Sequence, residues 1–588
     1  LIKVKILPSN VLYIDLSRRR VWIEDRRELF EEWIGGAGVA IKLLEEECPK
    51  NADPFGPENP IIFAVGPFTG FYPIASKTIA MFKSPLTGNL GESHCGGRSA
   101  LAIRMAGYGA IVVKGTSETP VYLAIHGEKT YFREGSAIWN MANSYTVGRI
   151  LRDKEPGAGA RTIMRIGRAG EKLIPYACVV TETYRHFGRL GLGAVFGSKK
   201  LKAIVVSGKK SLPVVDSKAY REVYKEIFTL LVDSPSMKKY HELGTSMNVN
   251  PLNELKALPT RNLKEANFEE AEKISGETFA KDFLGRRLAC AHCPVSCIHL
   301  ATLRTPYDSE PYFYKSKMIS YDYETIYALG SMIGIGDPKE LLKLLDEVEA
   351  LGLDAISTGI ALAWATEAQE KGLISTKETN GLYLKWGDAE TYLKAIRCLV
   401  NQINDFYKAL GKGVDYASAI YGGKEFALAF GKNEMPGYHT GLGAHLGFLI
   451  GSRHSHLDCA GYSIDQKIIA SGKNLTIEDL TQELISEEAW RQILSSLVIC
   501  FFARGIYKPE LIIKAFKPLG VEFTEGSLKA IGNKILKAKY EFKVREGFQL
   551  SKLRIPERIL QTSAPAGEFS KETIINGLRL AEEKLASL

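Results

Sequence analysis

The chain has 588 residues, 45% of them hydrophobic and 24% charged, with a formal net charge of +9. That balance describes several folded domains around a large interior and excludes a disordered chain, and no window approaches the roughly 18 consecutive apolar residues of a membrane span. Lys and Arg are interleaved with Asp and Glu rather than gathered into a stripe, which argues against nucleic acid and for an acidic protein partner or a phosphate-bearing cofactor.

The opening segment, LIKVKILPSNVLYIDLSRRR, lacks the apolar stretch and small-residue cleavage site of an export signal. It reads as alternating strand, and the expected compartment is the cytoplasm. Nine cysteines in a long chain without such a signal do not suggest a disulfide framework. Up to about residue 210 short apolar runs rich in β-branched residues, such as IIFAVG, GAIVVKG, VYLAIHG and LKAIVVSG, alternate with glycine-bearing turns and predict strands. Beyond that point the period becomes helical. Asp337 is a natural N-cap, Pro338 suits the first helical position, Glu340 can complete a capping box, and Gly352 can end the helix. Between them Leu341, Leu344, Leu345 and Val348 form one apolar face. A His- and Gly-rich interruption follows at 437–463. The expected fold is α+β: a β-rich N-terminal cofactor-binding domain over 1–210, then two mostly helical domains over 211–425 and 426–588.

Three segments carry chemistry. Cys290-Ala-His-Cys293-Pro-Val-Ser-Cys297 is a C-x2-C-x3-C run, a spacing that lets a short loop wrap three thiolates around an iron–sulfur cube with a fourth from elsewhere, for which Cys500 is the candidate. The alternative is a zinc site completed by His292 or His299. The stretch from Arg185 to Lys200 is Gly-dense and basic. It reads equally as a phosphate nest or as a tight corner, because its glycine spacing is not the dinucleotide fingerprint and a strand, LKAIVV, follows where a helix is expected. Lys83 to Gly88, followed by His94-Cys95-Gly96-Gly97-Arg98, poses the same choice between anion site and plain turn. Seven aromatics between Tyr307 and Tyr327 (Tyr307, Tyr312, Phe313, Tyr314, Tyr321, Tyr323, Tyr327) line an apolar substrate funnel or simply pack against the helical domain.

Taken in order, GPFTG, KSPLTG, AGYGAIVVKG, GRLGLGAVFGSKKLKAI, the cysteine run, YETIYALG and GLDAISTG resemble the aldehyde ferredoxin oxidoreductase family along nearly the whole chain. The resemblance implies a tungsten (or molybdenum) bis-molybdopterin cofactor, one [4Fe-4S] cluster and Mg2+. It implies Cys290, Cys293, Cys297 and Cys500 as cluster ligands. One pterin motif falls on Glu349 to Asp354, with Glu349 replacing the family's Asp and with Leu353 and Asp354 retained. The other falls on the segment ending at Ile499 and Cys500, followed by Phe501, and has lost its acidic residue. Lys77 stands where the family has arginine, keeping the charge and losing the planar fork. Arg185, Gly188 and Arg189 match the pterin-phosphate segment, Gly96 belongs to the neighbouring turn, and the magnesium-binding main-chain carbonyls map to His94 and His186.

The resemblance also implies that Glu324 is a general base and that the catalytic histidine is His456 or else His454, with Arg453 and Asp458 helping to hold the cofactor. The reaction implied is oxidation of an aldehyde to a carboxylate, with electrons leaving to ferredoxin or a ferredoxin-like subunit. The segments RTPYDSEPYFYK, ISYDYE and RHSHLDCAGYS look closer to the heteromeric branch of the family, which includes the tungsten-type benzoyl-CoA reductase. The subunit-bridging metal ligands of the homodimeric member are not recognisable on 338–351. The expected assembly is therefore a hetero-oligomer, with a polyferredoxin-type subunit docked near the 290–297 loop. A third reading, of another class, is an electron-transfer scaffold without substrate chemistry.

Overall fold

Period-two alternation in the first 208 residues produces two six-stranded sheets. The computed structural model describes residues 7–588 apart from positions 142, 308, 311 and 474. The strands are β1 (Asn10–Asp15), β2 (Arg20–Asp25), β3 (Ile61–Ala64), β4 (Thr78–Lys83), β5 (Leu90–Cys95) and β6 (Ala110–Lys114), in the order β2-β1-β6-β3-β4-β5. The second sheet has β7 (Val121–His126), β8 (Lys129–Glu134), β9 (Ala160–Ile166), β10 (Val179–Val180), β11 (His186–Phe187) and β12 (Leu201–Gly208), in the order β11-β10-β9-β12-β7-β8. β1 with β6 and β7 with β12 are parallel; their other neighbours pair antiparallel.

The alternation decides what each face does. Leu12, Ile14, Phe63, Phe82 and Val113 of the first sheet share one core with Leu123, Ile125, Met164 and Val206 of the second. Val11, Tyr13, Ile62 and Met81 point the other way, against the helices Gly36–Glu47 and Glu525–Arg545. A one-residue register slip would exchange these sets, so register is strongly fixed. The edge strands β5 and β11 lie against each other, and this brings His94 and His186, from different sheets, to one place.

After Gly208 the chain is mostly helical. Pro338–Leu351 forms where its sequence places it: the Asp337 side chain accepts from the amides of Lys339 and Glu340, the leucine face is buried, and Gly352 ends the helix at φ +76°, while the Glu340 side chain does not close the reciprocal box. Two features depart from the sequence reading. The glycines after Arg189 do enter a helix, Leu192–Ser198, ahead of β12. Gly197 sits there because a Cβ would come within 1.8 Å of the Gly170 carbonyl oxygen. Inside the helical region lies a three-stranded antiparallel sheet of β13 (Leu284–Leu288), β14 (Ile298–Pro306) and β15 (Tyr314–Tyr321). The cysteine run connects β13 to β14, and β15 leads into the helix Tyr323–Leu329. Among the described residues no helix is long and apolar enough to cross a membrane.

Candidate active site

A cavity of about 220 Å³ opens where the two sheets meet the helical region. β5 and the turn after it supply His94 and Gly96, and the 185–189 turn supplies Arg185, His186, Gly188 and Arg189. Lys77 comes from the segment before β4. The opposite wall is the helix Tyr323–Leu329 with Glu324, the end of Pro338–Leu351 with Glu349, and then Leu353 and Asp354. Segments remote in sequence thus converge on one space.

The acidic wall is held in detail. Asp354 caps the helix Ala355–Glu370, accepting from the Ile356 amide at 3.0 Å, and receives Arg189 Nε on its other oxygen at 2.9 Å. Arg189 Nη2 donates to the Glu434 carbonyl at 2.8 Å, while its Nη1 is buried with no hydrogen-bond partner, as is Nε2 of His186. Glu349 accepts a hydrogen bond from the Tyr145 hydroxyl, and burial pushes its carboxyl up to about 8. Unpartnered buried donors beside Lys77 and Arg185 leave a cationic cradle with hydrogen-bonding capacity to spare, which fits a phosphate-bearing group.

Next to it, Cys290, Cys293, Cys297 and Cys500 line a second cavity of about 100 Å³. Backbone hydrogen bonds bring these distant thiols together. Ile74 N donates to the His292 carbonyl at 3.0 Å, Cys500 N to Ile74 O at 3.2 Å and Lys77 N to Val498 O at 3.1 Å, so the 74–77 segment laces both cysteine segments to the first sheet. The Gly97 amide points at Cys290 Sγ from 3.1 Å. A Cβ on Gly96 would come within 2.9 Å of that sulfur, so the approach needs glycine. Neither His292 nor His299 lines this cavity, and His299 Nε2 lies 2.9 Å from the His241 carbonyl oxygen. Among the described residues no three His, Cys, Asp or Glu side chains gather closely enough to hold a single ion. Four thiols spaced around a cavity suit a multinuclear cluster better than one tetrahedral zinc.

The two cavities share Lys77, Arg185 and Asp322 as a common wall. On the far side of Glu324 stands His456, its Nε2 3.3 Å from Glu324 Oε1 without hydrogen-bond alignment; Glu324 Oε1 and His456 Nδ1 are both buried without a hydrogen-bond partner. Burial, and to a lesser degree the charge of Asp322, pushes the Glu324 carboxyl up to about 8 against the Gly437 amide, Arg189 and Tyr438, which favour its ionised form. Burial, reinforced by Arg189, Arg453 and Arg491, holds the His456 imidazole well below its ordinary range. The pair is therefore uncharged at neutral pH. Tyr438 stacks on Tyr462 at 4.5 Å and tilts against the His456 ring at 5.0 Å, and His456 also touches Tyr462 at 6.2 Å, so the three rings form one cluster.

The remaining expected residues lie elsewhere. His454 has Nδ1 3.0 Å from the Phe448 carbonyl oxygen and Nε2 3.0 Å from Lys543 Nζ, so both ring nitrogens have structural partners and the structure brings His456, not His454, to Glu324. Arg453 and Asp458 bind each other through Nε at 2.6 Å and the Arg453 amide at 2.9 Å, outside the lining. Ile499 is buried in an apolar core and Phe501 packs at 6.0 Å from the His94 ring. The aromatic segment divides. Tyr307, Tyr312, Phe313 and Tyr314 are exposed on the β14–β15 hairpin, Tyr321 packs on Phe279, and Tyr323, tilted against Tyr438 at 5.1 Å, and Tyr327, stacked on Tyr323 and donating to the Met435 carbonyl, are buried near Glu324. Sequence reasoning missed Asp322, Tyr438 and Tyr462. The S/T/D-x-x-T capping pattern around Asp322 was a legible signal; the two tyrosines offered none.

Models of the aldehyde ferredoxin oxidoreductase N-terminal domain and of its domains 2 and 3 match residues 11–208 and 222–584. The chain is similar to the tungsten-containing aldehyde ferredoxin oxidoreductase of Thermococcus kodakarensis, 33% identical over 95% of this chain and 92% of that one. The Pyrococcus furiosus protein of the same name is 32% identical over 96% and 93%. A P. furiosus aliphatic sulfonate oxidoreductase, WOR-like subunit, is 31% identical over 70% of this chain and 67% of that one. Among solved structures, the active site complex BamBC of benzoyl coenzyme A reductase shares the fold, with a TM-score of 0.78 and 20% identity over 98% of this chain and 97% of that chain.

Proposed function

The chain belongs to the aldehyde ferredoxin oxidoreductase family, and from that premise we propose that it oxidises aldehydes to carboxylic acids and passes the electrons through a [4Fe-4S] cluster to ferredoxin or a ferredoxin-like subunit. It is an oxidoreductase of a family whose tungsten bis-pterin cofactor supplies, when bound, an electrophile and a two-electron sink. The observation that carries the proposal is the buried, unpartnered Oε1 of Glu324, on a carboxyl that lines the cavity with Lys77, Arg185 and Arg189, with His456 3.3 Å behind it and four thiols one wall away.

Arg185, Arg189, Lys77 and His186 would hold the pterin phosphates. Main-chain groups of His94 and His186, on the touching strands β5 and β11, would hold Mg2+, and Glu349 and Asp354 would accept from pterin amines. Oxidation of an aldehyde adds a water oxygen and releases protons and two electrons. Glu324, once deprotonated, takes the proton of the attacking water, and a His456 ring nitrogen orients the aldehyde oxygen. The aromatic wall of Tyr323, Tyr438 and Tyr462 excludes bulk water. One cluster carries one electron at a time, so a separate acceptor is needed for each turnover, and the expected assembly is a hetero-oligomer.

His456→Asn is expected to lower kcat about 10²–10⁴-fold with metal content retained. His454→Asn, which leaves Lys543 without its ring partner, should lower the melting temperature and leave kcat within a few-fold. Equal kcat losses in the two variants would contradict the assignment. The fold shared with BamBC favours one second reading, reduction of an aromatic acyl-CoA. Steady-state assays with aliphatic and aromatic aldehydes, set against benzoyl-CoA plus a strong reductant, separate the two. Activity only in the second arm overturns the proposal. Purified protein without tungsten, molybdenum or turnover would instead support the scaffold reading.

A further inference from the structure

The Asp322 carboxylate faces two ways. As N-cap of the helix Tyr323–Leu329, its Oδ1 accepts from the Thr325 amide at 3.3 Å, and Thr325 Oγ1 accepts from the Asp322 amide at 3.2 Å. This reciprocal box fixes the first turn, on which Glu324 stands. The other oxygen, Oδ2, lies 3.6 Å from Arg185 Nη1, and Arg185 Nη2 lies 4.0 Å from Cys297 Sγ. A continuous line of contacts therefore runs from a cysteine sulfur through one guanidinium and one carboxylate to the helix that carries the proposed base. Asp322 and Arg185 both line both cavities.

We propose that Asp322 is a positioning residue that couples the four-cysteine site to Glu324: one oxygen sets the helix that presents Glu324, and the other holds Arg185 against Cys297. The inference rests on the reading of Glu324 as base and of the four cysteines as cluster ligands. The charged and titratable groups around Glu324 are His456 and Tyr438 on one side, Arg189 across the cavity, Tyr323 and Tyr327 on its own helix, and Asp322 at the helix start. Of these, Asp322 is the carboxylate whose charge opposes ionisation of Glu324. The Arg185 guanidinium lies between the Asp322 carboxylate, 3.6 Å from Nη1, and Cys297 Sγ, 4.0 Å from Nη2. Its position between sulfur and carboxylate is thus shared between the two. Removing the carboxylate charge should have two consequences at once: Glu324 ionises more readily, and the Arg185 charge turns toward the thiols, where it favours the reduced, more negative cluster.

Asp322→Asn tests this in the holoenzyme, because asparagine is an equally good N-cap and keeps the helix while removing the charge. The acid limb of kcat/KM governed by Glu324 should move to lower pH by roughly half a unit to one unit. An EPR-monitored redox titration should show the cluster midpoint moving to a more positive potential. The potential change should persist in Asp322→Asn/Glu324→Gln, since that arm does not pass through Glu324, and Asp322→Glu should return both readouts toward wild type. If asparagine unsettles the fold, Asp322→Ser keeps a capping oxygen and removes the same charge. Unchanged pH limb and unchanged potential in a variant of normal melting temperature would overturn the proposal. Full activity of Glu324→Gln alone would instead sink the underlying reading of the base, so the two failures are distinct.

Discussion

Glu324→Gln is expected to cut aldehyde-oxidising turnover by about 10²–10⁴-fold while tungsten and iron contents stay at wild-type levels. Glutamine preserves the shape of the side chain and can still accept from the Gly437 amide, which lies 3.4 Å from Glu324 Oε2. What it loses is the ability to take a proton. In the wild type the carboxyl titrates at about 8, raised chiefly by burial, so the competent ionised form is the minority species at neutral pH. The rate should therefore rise about tenfold per pH unit below that value and level off above it. The variant's residual rate should lack this limb. The same shift predicts a stability effect of definite sign. The native state holds the Glu324 proton up to about pH 8, whereas the unfolded chain releases it near the ordinary value of 4.5. Between these values the native state binds more protons, and the wild type loses stability as pH rises. Glu324→Gln should match the wild-type melting temperature near pH 4 and exceed it above pH 8. A variant less stable than wild type at high pH would show that the buried carboxylate is compensated by partners beyond those described, and a flat pH–rate profile in the wild type would remove Glu324 from the role of base.

How far the sequence foretold this site depends on whether the signal was local. The helix from Asp337 to Gly352 carries its start, apolar face and stop in consecutive residues, and it folds as read. The first-domain strands were legible for the same reason, since alternating residues such as Leu12 and Tyr13 face two different cores. The sheet of β13, β14 and β15 was not, because β13 and the outer half of β15 are charged and exposed while the start of β14 is buried on both faces, so none of the three strands shows clean alternation. Cys500 was a weak candidate as one cysteine in an apolar run, which the resemblance strengthened; what makes it meet the other three is the lacing through Ile74 and Lys77. The choice between His454 and His456 could not be made from a segment in which both sit two residues apart in a loop. What separates them in the structure is φ +55° at His454 and its ring partners Phe448 and Lys543, which are set by tertiary packing and leave His456 beside Glu324. Tyr438 likewise acquires meaning only where His456 and Tyr462 pack with it.

Cys500→Ser is expected to remove most of the iron and to abolish electron transfer to an external acceptor, with the purified protein losing the broad visible absorption of an iron–sulfur centre. The argument is geometric. Cys290, Cys293 and Cys297 arrive on one loop, whereas Cys500 is held by its own amide on the Ile74 carbonyl at 3.2 Å, so the fourth corner of the small cavity depends on a segment more than 200 residues away. Serine keeps that backbone contact and almost the same volume but offers a hard hydroxyl in place of a thiolate. Because ligand binding to a metal centre is also folding energy, the variant should melt at a lower temperature and lose the difference on chelation that the wild type shows. Burial holds the Cys293 thiol well above its ordinary range and the Cys297 thiol at about 11, so without metal these groups stay protonated and the loop gains nothing from Lys77 and Arg185 beside it. With metal the thiolates form, and the two cations then neutralise part of their charge. Cys290→Ser should behave like Cys500→Ser, and Cys398→Ser, on a separate helix outside the cavity, should behave like wild type. The stoichiometry discriminates sharply: one zinc per chain in the wild type would mean that the thiols hold a single ion rather than a cluster, and undiminished iron in Cys500→Ser would mean that Cys500 is outside the ligand set; in the first case the route for electrons out of the neighbouring cavity would have to be sought through another wall.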